Sequence, residues 1–269
     1  PTFLAMFRGA GKSVLYNLGR SLRRILEDET PYDLQGAIVQ RLASQNMDYI
    51  RLELEHNERL RADYGELRVE GAEAEWVVEV PGSGRRFPSV KFEAFGVRMS
   101  PRGRRHGEWR PYGFTGDDLE DAQMARNPER QRHLWDWLYD DVAPALEPDV
   151  WQMTCLGTYY GPGCMMDRAE QMSARTDPSG RALARVVREP VTDAEGRSVW
   201  PERFPDEALA RVRAQIGLHS WLRNYAMSAD DPDKAFQPGW FEAIWRDASL
   251  PTAHLDIVTF LDPAISQSS

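Results

Sequence analysis

Short apolar runs alternate with amphipathic stretches along most of the chain. Residues 2–7 are apolar and lead into a glycine-containing turn, after which apolar residues recur at helical spacing from Val14 to Leu26. This pattern predicts a strand, a tight turn and a helix in succession. Further buried strands are predicted at residues 36–39, 112–116 and 150–156, and amphipathic helices at 44–60 and 130–146.

The middle of the chain has a different pattern. Residues 76–80, 90–92 and 95–99 are short β-like runs separated by Gly- and Pro-containing turns, which predicts a small antiparallel insertion. Elsewhere apolar strands alternate with helices, and this is typical of a doubly wound, mostly parallel sheet with helices on both faces. We therefore predict an α/β fold of the P-loop NTPase type. Towards the C-terminus, strands are predicted at 182–187 and 255–261 and helices at 206–216 and 221–227.

Charge and composition narrow the classes of function. The 269 residues include 33 Lys and Arg against 42 Asp and Glu, which gives a formal net charge of −9. A chain this acidic does not bind nucleic acid through its overall charge, so any contact with a polyanion must be local. No apolar run reaches the ~18 residues of a membrane span, and no membrane partner is expected. The lysines are Lys12, Lys91 and Lys234, and the cysteines, Cys155 and Cys164, are expected to be reduced thiols.

The strongest chemical motif lies between the first predicted strand and helix. In a phosphate-binding loop, backbone N–H groups and a helix N-terminus surround the phosphates, a lysine reaches the β- and γ-oxygens, and a serine hydroxyl holds Mg²⁺. The full pattern has a glycine six residues before its lysine, where this chain has Met6. A chance turn is the alternative. The nucleotide-binding residues predicted from this motif are Arg8, as a second cation, and Gly9, Ala10, Gly11, Lys12 and Ser13.

Two neighbouring aspartates follow the strand predicted at 112–116. Carboxylates at the end of a neighbouring strand can hold hydrated Mg²⁺ and orient an attacking water. We interpret Asp117 as the metal-side acid and Asp118 as the water-orienting acid, with Glu120 in reserve for the second role. The alternative is an acidic helix N-terminus capped by Asp117.

Two further features invite a functional interpretation. Thr158 follows the strand predicted at 150–156, where its hydroxyl either couples γ-phosphate hydrolysis to the rest of the domain or caps the next segment. Five arginines lie in a Gly- and Pro-containing stretch, the arginine loop (residues 98–110). This loop is a solvated loop, a contact for DNA phosphates, or the source of an arginine finger for a neighbouring subunit, with Arg98 and Arg102 as the candidates.

The order of these motifs resembles the large terminase subunit of tailed phages, and the resemblance covers nearly the whole chain. It rests on the phosphate loop with its Met6, on the acidic residues from Asp117 to Glu120, and on Thr158 after its strand. The most specific piece is Trp-Pro-Glu-Arg-Phe-Pro at residues 200–205, because generic ATPase chemistry does not require it.

The resemblance implies a motor that packages viral double-stranded DNA in the host cytoplasm, with ATP and Mg²⁺ as cofactors. It implies an ATPase domain over residues 1–228, with a linker subdomain at about 182–228, then a linker at 229–253 and the first strand of an RNase H-like nuclease domain at 254–269. Asp262 would be the first metal-binding aspartate of that nuclease. The implied partners are DNA, the portal protein, the small terminase subunit and further copies of the chain in a ring.

The chain departs from the family pattern at both ends. By comparison with that pattern, we expect the segment that precedes the phosphate loop and contacts adenine to be missing, and the nuclease domain to end almost where it begins. We therefore expect a fragment of a longer reading frame that keeps at most the ATPase chemistry, with nuclease activity only in the intact protein. The alternatives are another DNA-dependent P-loop translocase, such as a helicase, and a degenerate, non-hydrolysing assembly subunit.

Overall fold

A mixed eight-stranded sheet forms the centre of the computed structural model, which describes residues 1–228. The strands lie in the spatial order β3-β4-β5-β2-β6-β7-β1-β8. All pairs from β5 to β8 in that order are parallel, whereas β4 is antiparallel to both of its neighbours. The predicted α/β fold with a mostly parallel sheet is thus confirmed. The strands are β1 (Thr2–Met6), β2 (Tyr32–Ala37), β3 (Arg68–Ala72), β4 (Glu75–Glu79), β5 (Ser89–Gly96), β6 (Gly113–Asp117), β7 (Gln152–Gly157) and β8 (Arg185–Glu189).

Helices connect most of the parallel strands. Two stretches have π-helical winding: Ser13–Gly19 runs directly into the first helix, and Trp137–Val142 joins the fourth to the fifth. A short 3₁₀ turn lies at Met124–Arg126. The helices are α1 (Arg20–Leu26), α2 (Gln40–His56), α3 (Glu58–Tyr64), α4 (Pro128–Asp136), α5 (Ala143–Ala145), α6 (Met165–Ser173) and α7 (Asp206–Asn224).

Two apolar cores lie on opposite faces of the sheet, because successive side chains of a strand point to opposite sides. On β2, Leu34 belongs to one core and Ala37 to the other. The core that contains Ala37 is closed by α1 and α2, and the core that contains Leu34 is closed by α4, α6 and α7. Each face is therefore covered by helices, as a doubly wound sheet requires.

The second strand differs from its prediction. The sequence predicts a strand at 36–39, but β2 begins at Tyr32 and ends at Ala37. Asp33 and Gln35 are buried in it with partners on the preceding helical segment, so the buried strand contains polar residues that interrupt the apolar pattern. Because the strand ends earlier, α2 begins at Gln40 and not at Ser44.

The predicted antiparallel insertion is only partly correct. Strands β3 and β4 are antiparallel, but β5 is one continuous strand that pairs in parallel with β2. The insertion therefore widens the main sheet. The two short runs expected at 90–92 and 95–99 belong to one strand because Glu93, which lies between them, is buried within β5.

Near the described C-terminus, the helices predicted at 206–216 and 221–227 form one element, α7, that breaks at Gly217, where φ is +75°. The segment 182–228 begins with β8, an edge strand of the main sheet that pairs with β1.

None of the helices within residues 1–228 is long and apolar enough to cross a bilayer. Both cysteines are buried and unbridged. Asp262 and the segments 229–253 and 254–269 lie outside the described residues.

Candidate functional site

The loop between β1 and the π-helical turn needs its glycines. Gly9 and Gly11 have φ values of +88° and +83°, in the left-handed region that glycine adopts without strain. The Ala10 N–H donates to the Phe7 carbonyl at 3.1 Å, and the Leu15 N–H donates to the Gly11 carbonyl at 2.9 Å. The loop is therefore tightly turned, and it opens directly onto the start of a helix.

The order of the strands brings the predicted residues together at the carboxyl ends of the parallel strands. Strand β7 lies between β1 and β6, and all three are parallel, so their carboxyl ends lie side by side. A cleft of about 410 Å³ opens there. Its lining consists of Met6, Phe7, Arg8, Gly9, Gly11, Lys12, Ser13, Val14, Asp118, Thr158, Tyr160 and Asn224.

Lys12 and Asp118 form an ion pair in this cleft. The Lys12 Nζ lies 3.0 Å from the Asp118 Oδ1, and the aspartate side chain is 58% exposed. Asp118 has a positive φ of +46°, and its N–H donates to the carbonyl of Leu156 on β7. The backbone at the end of β6 is thus turned so that this carboxylate reaches the phosphate loop.

Asp117 lies deeper than its neighbour. It is buried, and both the loss of solvent and the nearby Asp118 raise the pKa of its carboxyl. Ser13 hydrogen-bonds to it, and the Asn17 amide lies 3.5 Å from its Oδ2. Sequence reasoning did not find Asn17, because no motif marks it.

The Asp117 carboxylate and the Ser13 hydroxyl suit Mg²⁺. The Asp117 Oδ1 is buried without a hydrogen-bond partner, and hard oxygen donors of this kind are what Mg²⁺ prefers. No group of three or more His, Cys, Asp or Glu side chains within residues 1–228 forms a metal cage. Such a cage is not needed where one or two protein oxygens hold Mg²⁺ together with substrate phosphates.

Glu120 is not in the cleft lining. Its Oε2 accepts a hydrogen bond of 3.0 Å from the Met165 N–H, at the start of α6, while its Oε1 has no partner. Burial raises the pKa of this carboxyl from its ordinary 4.5 to about 7. Of the two candidates for orienting water, Asp118 is the one that the fold brings to the cleft.

Thr158 does line the cleft, and a tyrosine that was not predicted lies beside it. Tyr160 hydrogen-bonds to Thr158, and burial raises the pKa of its phenol. The Arg223 guanidinium lies 5.8 Å from the centroid of the Tyr160 ring. The end of α7 therefore contributes to the wall of the cleft beside the strand that carries Thr158.

The 200–205 turn, the most specific part of the resemblance, packs against the phosphate loop. The rings of Phe204 and Phe7 are edge to face, with centroids 5.5 Å apart. A Cβ at Gly9 would lie 2.9 Å from the Phe204 ring. The sequence marked this segment without assigning it a role, because the contact joins residues that are far apart in the chain.

The two candidate arginines differ in their partners. The Arg102 Nε lies 2.8 Å from the Asp141 Oδ1, and the same guanidinium donates to the Asp140 carbonyl. Arg98 has a left-handed φ of +77° and is exposed, with no hydrogen bond or ion pair of its side chain to any residue from 1 to 228. It follows β5, four places from β1 in the sheet, which is roughly 19 Å at the usual spacing of strands.

Comparisons with known proteins find relatives by structure alone. No protein-family model matches the sequence, and no curated protein sequence is similar to it. The structure is similar to the large terminase ATPase domain of Thermus phage P74-26, with a TM-score of 0.59 and 14% identity over 84% of this chain and 87% of that one. It is also similar to the large terminase of a second, thermophilic bacteriophage in complex with ATP-γ-S, with a TM-score of 0.52 and 9% identity.

These matches establish the fold. The chain has the α/β fold of phage large terminase ATPase domains, as the order of its motifs predicted. The match covers 84% of this chain but only 46% of the thermophilic bacteriophage terminase, so the chain spans about half the length of that protein. A structure of the same terminase with ADP is a further match, with a TM-score of 0.51.

Proposed function

We propose that this chain binds and hydrolyses ATP in the cleft at the carboxyl ends of β1, β6 and β7. The observation that carries the proposal is the convergence of Lys12, Ser13, Asp117 and Asp118 on one glycine loop that opens onto a helix. The sequence predicted these residues from two separate motifs, the glycine loop and the pair of aspartates. Their meeting at one point of the fold is independent support, as are the nucleotide complexes of the thermophilic bacteriophage terminase.

Each residue has a chemical role in this proposal. Lys12 would supply a point charge for the β- and γ-phosphate oxygens, and the backbone N–H groups of Gly11 to Ser13 would donate to phosphate oxygens. Ser13 and Asp117 would hold Mg²⁺, which neutralises phosphate charge when bound. Asp118 orients the attacking water once its ammonium partner turns to the phosphates, and the Thr158 hydroxyl follows the state of the γ-phosphate. Arg8 adds a second cation at the mouth of the cleft.

We further propose that hydrolysis drives the packaging of double-stranded DNA. Support comes from the shared fold with terminase ATPase domains and from the 200–205 turn. The partners in this proposal are DNA, a portal protein, a small terminase subunit and further copies in a ring. In the same proposal Asp262 would serve a metal-dependent nuclease. Arg98, which has no partner within residues 1–228, is the better of the two candidates for an arginine finger or a DNA contact.

A calorimetric titration of ATP with Mg²⁺ into the chain tests nucleotide binding. We expect one ATP per chain, and an affinity at least about tenfold weaker for Lys12→Ala, because a charge-assisted contact is lost. Arg23→Ala is the matched control, since Arg23 is an exposed cation that pairs with Glu29 outside the cleft. Absence of binding by the parent chain would support a degenerate assembly subunit instead.

A further inference from the structure

The phosphate loop is held from outside by the last residue of β8 and by the segment that follows that strand. The Phe7 N–H donates to the Glu189 carbonyl at 3.1 Å, and the Arg8 N–H donates to the Asn224 carbonyl, at the end of α7, at 2.7 Å. These bonds occupy two backbone donors at the entrance of the loop. The loop's entrance is therefore fixed by residues about 180 or more positions later in the chain.

Phe204 adds a side-chain contact to these two bonds. Its ring meets Phe7 edge to face and fills the space beside Gly9 that any side chain there would occupy. Edge-to-face pairs of aromatic rings contribute more than their buried area alone. Glycine at position 9 is thus required twice, by its positive φ and by the ring packed against it.

The 200–205 turn is stabilised by contacts among its own residues. The Phe204 N–H donates to the Trp200 carbonyl at 2.8 Å, and the two rings lie 6.1 Å apart. The Arg203 guanidinium covers both rings, at 5.3 Å from Trp200 and 5.7 Å from Phe204. Immediately afterwards α7 begins, with Pro205 as its N-cap residue. A displacement of the start of α7 therefore moves Phe204.

We propose that Phe204 is a positioning residue of the phosphate loop. Its ring fixes the conformation from Phe7 to Gly9 and ties the loop to the start of α7, so that the two move together. The Trp-Pro-Glu-Arg-Phe sequence follows from this role: Trp200 and Arg203 support the ring, and Phe204 makes the contact. The consequence for nucleotide affinity rests on the function proposed above, whereas the consequence for loop conformation does not.

Hydrogen exchange of the nucleotide-free chain tests the positioning role directly. We expect the amides of Arg8 and Ala10, both hydrogen-bonded in the loop, to exchange about tenfold faster in Phe204→Ala than in the parent. Phe204→Leu, which keeps much of the volume, should give an intermediate rate. The control is Trp151→Ala, which removes a half-buried aromatic side chain packed on the same core. Trp151 directly precedes β7 and so lies at the amino ends of the parallel strands, away from the cleft.

Nucleotide binding by the same variants provides the second measurement. We expect the dissociation constant for ADP to rise about tenfold in Phe204→Ala, with partial recovery in Phe204→Leu and no change in Trp151→Ala. Parental exchange at Arg8 and Ala10 in Phe204→Ala would overturn the positioning role. If Phe204→Ala does not fold, parental exchange in Phe204→Leu has the same meaning. A parent chain that binds no nucleotide would contradict the proposed function, while the exchange rates would still decide the role of Phe204.

Discussion

Two of the three lysines show how far a rare residue type and a sequence motif can identify a functional site. Lys12 is one of three lysines in the sequence, belongs to the predicted phosphate-loop motif, and lies in the cleft. Lys91 is equally scarce but serves the sheet: its Nζ lies 2.8 Å from Glu75 on β4 and 3.4 Å from Glu93 on β5. A rare lysine can therefore serve either a binding site or a structural ion cluster. The neighbouring glycines and serine are what distinguish Lys12, in a phosphate loop, from Lys91.

The buried carboxyl of Glu120 makes the stability of the folded chain depend on pH. Its pKa is about 7 in the folded chain, above the ordinary 4.5, so the folded state retains a proton that the unfolded state loses between these values. Stability therefore falls as pH rises through this window, and the loss persists above pH 7. Glu120→Gln keeps an acceptor for the Met165 N–H but does not ionise. We expect its advantage in unfolding free energy over the parent to grow by roughly 2–3 kcal/mol from pH 4.5 to pH 8.

Urea unfolding at both pH values measures this advantage. Glu129→Gln is the control, because Glu129 is largely exposed and its replacement should have no such pH dependence. An advantage for Glu120→Gln that is equal at pH 4.5 and pH 8 would mean that Glu120 ionises normally in the folded chain.

At the scale of elements, one buried ion pair ties α1 to β2. Arg24 donates to both oxygens of Asp33, at 2.7 and 2.9 Å, and both side chains are almost fully buried. Removing one partner leaves an uncompensated buried charge. We expect Asp33→Ala to lower the free energy of unfolding by about 3–5 kcal/mol.

The adjacent exposed pair is the control for that prediction. Arg23 lies 2.9 Å from Glu29 but is 63% exposed, so Arg23→Ala should cost less than about 1 kcal/mol in the same urea experiment. Equal costs for Asp33→Ala and Arg23→Ala would show that the buried pair does not tie the two elements together.

The same buried polar residues explain which elements the sequence could predict. Strands β6 and β7 and the glycine loop were found because apolar runs and glycines are local signals. The bounds of β2 and β5 were missed because the pattern equates burial with apolar character, and Asp33 and Glu93 are buried with charged partners. Val14 and Leu15 belong to the apolar pattern that predicted the first helix, but both are exposed, within the stretch of π winding.

At the scale of the whole molecule, the site depends on strand order. Sequence placed the glycine loop, Asp117 and Thr158 each at a strand end, but not the insertion of β7 between β1 and β6 that brings them together. The contact of Phe204 with Gly9 was equally inaccessible, because it joins distant parts of the chain. Long-range pairing of this kind leaves no periodic trace in the sequence.

Arg98 follows β5, four strands away from β1, and is too far from its own phosphate loop to act there. If it serves a neighbouring copy, Arg98→Ala and Lys12→Ala chains should each hydrolyse ATP poorly alone, and their mixture should exceed the sum of the two rates. The reason is that a Lys12→Ala chain supplies Arg98 to a neighbour with an intact loop. Arg102→Ala, whose guanidinium is held by Asp141, should not show this complementation. A mixture that only adds the two rates would exclude action between subunits.

The rate of ATP hydrolysis by Lys12→Ala, compared with the parent and Arg23→Ala, decides whether this cleft is an ATPase site. The Lys12 ammonium is the cation that the glycine loop pairs with Asp118 in the cleft. We predict hydrolysis by the parent and by Arg23→Ala, and a rate at least about 100-fold lower for Lys12→Ala with its fold retained. Hydrolysis by Lys12→Ala at the parental rate would mean that ATP is not hydrolysed in this cleft.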